Sequence, residues 1–138
     1  MNITFFEVSD WEKESLKNNF PQAQFTEEKL TEENAHLYQD SEILSCFIYS
    51  VLDRSVLSKF PNLKFISIRG TGFDNTDKTY CTEKGIKISN VPEYGSRTVA
   101  EYTFALILNL TRKIYQSINQ SKILNFDHSL IKGVDLYG

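Results

Sequence analysis

Five short runs rich in β-branched and aromatic residues recur along the chain: "NITFFEV", "AQFT", "EILSCFIYS", "LKFISIR" and "IKISNV". A helix-like or turn-forming polar segment follows each one. Runs this short that alternate with helices pair in parallel, because a parallel neighbour needs a crossover long enough to hold a helix. The third run is apolar enough to be covered on both faces. Right-handed crossovers then bring the C-terminal ends of all the strands to one edge.

The fold expected is α/β: a flavodoxin-like (Rossmann-like), doubly wound, parallel five-stranded sheet. Its helices carry local signals. Ser9 with Glu12 three residues on forms a capping-box pattern, and that helix runs to about Phe20, where Pro21 stops it. "LTEENAHLYQD" reads as a short second helix with Thr31 at its start. "RSVLSKF" is a third, halted by Pro61, and "DKTYCTEK" a fourth, capped by Asp77 and ended by Gly85. A long helix is expected from Thr98 to about Ser117, with Thr98 and Glu101 as a capping box. Arg112 and Lys113 lie in its C-terminal half, where they complement the dipole. Its middle, "FALILNL", is apolar nearly all round, so it should be buried on more than one side. A central core helix and a helix at a domain junction or subunit interface both satisfy that pattern.

Composition narrows the partners. At 138 residues the chain is long enough for one domain with an appendage. Fifteen basic residues against eighteen acidic ones give a net charge of −3, and no basic block suggests a nucleic-acid surface. The opening "MNITFFEVSDWEKES" has no basic, apolar leader pattern, so no signal peptide is expected. The longest apolar run, Phe104 to Leu108, is far too short for a membrane span. Cys46 and Cys81 read as ordinary reduced thiols, which suits a reducing, cytoplasmic compartment. His36 and His128 stand apart from both, so no metal site is expected.

Four loops gather at the C-terminal edge of such a sheet: around Ser9, Tyr49 to Asp53, Gly70 to Asp74, and Pro92 to Thr98. Ligands bind at that edge in folds of this type. Gly70-Thr71-Gly72 follows a strand directly, which brings backbone close to whatever lies opposite. A dinucleotide phosphate loop needs a third glycine where this chain has Asn75, and Asp74 beside it would repel a pyrophosphate. What remains is a small carboxylate held by backbone amides, or a tight turn with no ligand.

"RGTGFDNTD" followed by "GIKISNVPEYGSRTVAEYTFALILNLTRKI" resembles the substrate domain of the D-isomer-specific 2-hydroxyacid dehydrogenases, with the closest likeness to the NAD-dependent D-lactate dehydrogenase branch. The likeness runs from about Phe47 to Gly138, and "YQSINQSKILNFDHSLIKGVDLYG" is similar to the arm that leads into the family's NAD-binding domain. It implies a substrate (catalytic) domain at residues 1–97, and a crossing helix and arm at 98–138. The implied activity is hydride transfer between NAD(H) and a 2-oxo or D-2-hydroxy acid such as pyruvate or lactate.

In that family the turn after the fourth strand holds the substrate carboxylate, here Gly70, Thr71 and Gly72. Ser50, Val51 and Leu52 would line the same cleft. Tyr94, Gly95, Ser96 and Val99 would face the nicotinamide side, with Thr71 touching substrate or cofactor. At Gly95 this chain has no side chain where other members carry a polar one. The family's GxGxxG turn, its catalytic arginine, glutamate and histidine, and the helix that completes the substrate domain are expected beyond Gly138. No catalytic residue is therefore assigned within the chain. Arg69 is expected in a salt bridge, Glu101 at a cap and His128 on the surface or arm. The resemblance also implies a homodimer through the 99–117 helix. The alternative class is a non-enzymatic binding or regulatory module, since the same scaffold serves as a nucleotide-sensing corepressor.

Overall fold

Leu44, Cys46, Ile66 and Ile68 alternate with Ser45 and Ser67 along two neighbouring strands, and that period of two decides which face becomes the core. The computed structural model describes residues 1–137, which form two compact units, Met1–Glu93 and the residues from Tyr94 on.

The first unit is a five-stranded sheet of β1 (Ile3–Phe5), β2 (Gln24–Phe25), β3 (Ile43–Cys46), β4 (Phe65–Ile68) and β5 (Lys87–Ser89). All pairs are parallel and the order is β2-β1-β3-β4-β5, the doubly wound flavodoxin-like arrangement expected. On one face Phe6, Leu44, Cys46, Ile66 and Ile68 are fully buried. Helices α2 (Arg54–Leu57) and α3 (Lys78–Lys84) cover this face with Val56, Leu57, Tyr80 and Cys81. Both start on aspartate caps, as Asp53 accepts from Val56 N at 2.9 Å and Asp77 from Tyr80 N at 2.8 Å. Gly85 ends α3 in the left-handed region at φ 69°, where a Cβ would be strained. Phe5 points to the opposite face, where it packs on Phe25 and on Phe20 at the end of α1 (Asp10–Asn19).

Two local expectations fail in this unit, each because a side chain has another partner. Ser9 makes no side-chain cap to α1, and Glu12 does not reach back to it. The Glu12 carboxylate is instead 3.3 Å from Arg69 Nε. The expected second helix shrinks to a single 3-10 turn, Ala35–Leu37. There Asn34 Oδ1 accepts from Thr31 N at 2.8 Å and its amide donates to Lys29 O, so the side chain competes with the helical ladder.

The second unit corrects the long helix. Helix α4 (Ser96–Thr111) starts earlier than Thr98, with Gly95 at its N-cap, and no side-chain cap is made, so Thr98 and Glu101 form no capping box. Lys113 at φ 55° breaks the helix before α5 (Ile114–Lys122). Arg112 is drawn off to Asp135. The arm closes on this break: Val134 N donates to Thr111 O at 2.9 Å, and Gly133 lies so close that an added Cβ would sit 2.5 Å from Thr111 O. No side chain of α4 is buried; Phe104 is 61% and Leu110 71% exposed. The burial expected of "FALILNL" is therefore not supplied within this unit. Among the described residues no helix is long and apolar enough to cross a membrane.

Candidate functional site

Strand order reverses between β1 and β3, and the crevice at their C-terminal ends is where an open sheet of this kind usually takes a ligand. Here the protein sets its own carboxylate against the amides of the β3 loop. Glu7 follows β1 at φ 55°, uncommon for a residue with a Cβ. Its carboxylate accepts from Phe47 N at 2.9 Å, Tyr49 N at 2.7 Å and Ser50 Oγ at 2.5 Å. Arg69 braces the same corner by donating to Phe6 O, Glu7 O and Ser45 O. The loop after β3 is thus fixed from below, and its amides at 47 and 49 are already satisfied.

The next crevice, between β3 and β4, remains. Gly70 is buried, whereas Thr71 and Gly72 are exposed. Neither Gly70 nor Gly72 has a positive φ, and a Cβ built on Gly72 would meet only Asp74 Oδ2 at 3.9 Å. Nothing in this chain's own packing requires glycine at 72. Among the described residues the amides of Thr71 and Gly72 donate to no protein acceptor. Two adjacent exposed donors with no side chain standing over the second make a small-anion cradle. The Thr71 hydroxyl is already engaged, donating to Val91 O at 3.1 Å.

Of the residues expected on the neighbouring loop, Ser50 and Leu52 are buried and only Val51 is exposed. Ser50 Oγ donates to Glu7 and accepts from Leu30 N at 3.0 Å, so its role is structural support. Leu52 belongs to the core and pairs with Thr76 in an isolated parallel bridge. Asn75, which stands where a phosphate loop would have its third glycine, donates to Ser50 O at 2.9 Å. The loops after β3 and β4 are therefore joined. Ile48 and Tyr49 present the exposed apolar surface beside Val51. In the second unit, Tyr94, Ser96 and Val99 are exposed at the start of α4, and Gly95 is partly covered.

A larger open cleft of about 640 Å³ lies beside β1, lined by Glu7, Ser9, Asp10, Glu27, Lys29 and Tyr49 among others. Three carboxylates against one lysine make it a poorer place for an organic acid than the amide cradle, whatever its size. Cys46, beneath the β3 loop, is a free thiol that burial pushes up to about 12, so it is no nucleophile at neutral pH. Sequence reasoning overlooked Glu7, although an acidic residue inside "ITFFEVS" was a signal: a charge in an apolar run needs partners. Among the described residues no group of three acidic, cysteine or histidine side chains could hold a metal.

A Rossmann-like α/β domain with exposed turn amides at the sheet's C-terminal edge is thus defined by geometry alone. The family model for "D-isomer specific 2-hydroxyacid dehydrogenase, catalytic domain" matches residues 3–133, and the chain belongs to that family. A 2-hydroxyacid dehydrogenase homolog of Schizosaccharomyces pombe is 30% identical over 144 residues, covering all of this chain and 43% of the relative. A D-lactate dehydrogenase of Escherichia coli is 26% identical, again over the whole chain and 44% of its own length. A D-lactate dehydrogenase from Aquifex aeolicus, solved with NAD and lactic acid, matches at TM-score 0.88 and 32% identity, over 98% of this chain and 41% of that one. The chain spans less than half the length of these relatives.

Proposed function

We propose that this chain is the substrate domain of an NAD-dependent oxidoreductase that interconverts a 2-oxo acid and a D-2-hydroxy acid, acting on a CH–OH donor, with lactate and pyruvate as the reference pair. The observation that carries this reading is the pair of exposed amides at Thr71 and Gly72, within a family-matched domain. Backbone amides hold a carboxylate by hydrogen bonds without a counter-charge. They leave the substituent on the α-carbon to be read elsewhere, and exposed Ile48, Tyr49 and Val51 on the neighbouring loop are apolar candidates.

The cofactor, when bound, would supply or accept the hydride. The residues here do not suit its pyrophosphate: no Gly-x-Gly-x-x-Gly occurs in these 138 residues, and Asp74 adjoins the only glycine pair of that spacing. Tyr94, Gly95, Ser96 and Val99 are the positions proposed to face its nicotinamide. The substrate domain is assigned to residues 1–97 and the crossing helix and arm to 98–138, leading to an NAD-binding domain in a longer protein. Two free thiols fit a cytoplasmic setting.

The test is a titration of the isotopically labelled chain with pyruvate, read by amide NMR. Shifts should appear at residues 70–72 and 50–52 and saturate at roughly millimolar concentration, since half the cleft is absent. Shifts confined to residues elsewhere would overturn the assignment. The purified chain alone should not oxidise NADH with pyruvate or glyoxylate.

A further inference from the structure

The two amides of the cradle belong to two consecutive peptide units, and each unit is held on its other side by the chain leaving β5. Val91 N donates to Gly70 O at 3.0 Å. Gly70 O and the Thr71 N–H are opposite ends of one planar peptide. Asn90 Nδ2 donates to Thr71 O at 2.7 Å. Thr71 O and the Gly72 N–H are likewise opposite ends of the next. No peptide bond in the described chain is cis, so within each unit the carbonyl and the N–H point in opposite directions. Fixing the carbonyl therefore aims the N–H.

The first of these bonds is made by backbone, and any residue at 91 other than proline would make it. The second depends on one side chain. From this we infer that Asn90 is a positioning residue for substrate binding: its amide group orients the Thr71–Gly72 peptide so that the Gly72 N–H stands ready for the substrate carboxylate. The inference rests on the carboxylate reading proposed above. A glycine at 72 makes such a hold necessary, because a residue without Cβ leaves its preceding peptide freer to rotate than any other. A donor on the carbonyl also polarises the amide at the far end of the same peptide and strengthens it as a donor. The Thr71 hydroxyl adds a third tie, to Val91 O at 3.1 Å, so Thr71 is clamped through its side chain and the turn cannot drift from β5.

Asn90 reaches the substrate only through Thr71 and Gly72, so it acts by geometry and not by contact. Two variants separate this role from simple support of the fold. Asn90→Asp keeps the shape and replaces the donor with an acceptor that faces Thr71 O. Asn90→Ala removes the group altogether. In the free chain, without ligand, both should move the carbonyl carbon resonance of Thr71 and the N–H dipolar coupling of Gly72, while the core amides of Leu44, Ile66 and Ile68 keep their positions. With pyruvate as the probe, both should weaken binding by about fivefold to tenfold, the loss of one hydrogen bond's worth of preorganisation.

A variant that leaves the Thr71 carbonyl and the Gly72 coupling unchanged would overturn the inference. So would one that moves both and leaves pyruvate affinity at the wild-type value. A wild-type chain whose residues 70–72 do not respond to pyruvate is a separate result: it overturns the carboxylate reading, and the inference about substrate with it, even where Asn90→Asp reorients Gly72 in the free protein.

Discussion

Arg69 Nε lies 3.3 Å from Glu12 Oε1, and the two side chains are only 20% and 18% exposed. The rest of the guanidinium donates to the carbonyl oxygens of Phe6, Glu7 and Ser45. One side chain thus ties β1, β3 and α1 together beneath the loop that follows β3. Arg69→Met should destabilise the chain by about 3 kcal/mol, because it leaves a largely buried carboxylate and several carbonyls without a donor. Arg69→Lys should recover little of that, since one ammonium cannot serve three directions. Urea denaturation gives both numbers, and a loss under about 1 kcal/mol for Arg69→Met would show that water replaces the guanidinium.

Gly72 and Gly133 should respond oppositely to a methyl group. Gly72→Ala meets only Asp74 Oδ2 at 3.9 Å, so stability should be unchanged or rise by up to about 1 kcal/mol through the unfolded chain, while pyruvate binding falls. Gly133→Ala places a carbon 2.5 Å from Thr111 O and 2.9 Å from Arg112 Cα, and backbone on both sides cannot yield. The arm should lift from the end of α4, and the Val134 amide should lose its protection from hydrogen exchange.

Lys64 hydrogen-bonds the Glu42 carboxylate, and Asn2 N adds a second bond at 3.0 Å. Together they hold this carboxyl down from 4.5 to about 2. Because the folded value is the lower one, the unfolded chain binds the proton more readily as pH falls. The pair's contribution is fully present above about 4.5 and is lost between there and about 2. Glu42→Gln should flatten the stability profile across that window and leave the slope at higher pH alone. Chemical denaturation at a series of pH values checks it.

Helix α4 exposes Phe104, Leu106, Ile107, Leu108 and Leu110. Residues at those spacings point around most of the helix circumference. Each is worth roughly 1.5–3 kcal/mol when fully buried, so the isolated chain should self-associate through this helix. Sedimentation should show a dimer at micromolar concentration, and Ile107→Glu or Leu108→Glu should shift it to monomer. A stable monomer with α4 amides protected from exchange would contradict this.

Much of the frame was legible because its signals are local. Five apolar runs, the Asp77 cap and Gly85 define the strands, α3 and its end without reference to anything distant. The exposed turn at Thr71 and Gly72 was legible as well, through two glycines after a strand. Two of the failures share a cause: the spacing gives Glu12 to Ser9 but Arg69 takes it, and the Thr31 helix is lost to the Asn34 side chain. A side chain's choice between a near and a far partner is settled by tertiary geometry, which one-dimensional spacing does not contain. Asn90 escaped notice for the same reason, since its partner is nineteen residues away.

The bridge between Leu52 and Thr76, with Asn75 bonded to Ser50, carries a consequence for anyone wishing to change what this domain accepts. Leu52 N donates to Asn75 O and Asp77 N to Leu52 O, so the two connections are woven into one another. Exchanging residues 50–52 alone would disturb bonds to Asn75 and Asp77 on one side and to Glu7 and Leu30 on the other. A transplant therefore has to carry 50–53 and 73–77 together and to keep Glu7 and Leu30, which hold residues 50 and 51 from outside. Each piece lies in the loop after its strand, β3 or β4, and ends on the aspartate that caps the following helix, Asp53 or Asp77.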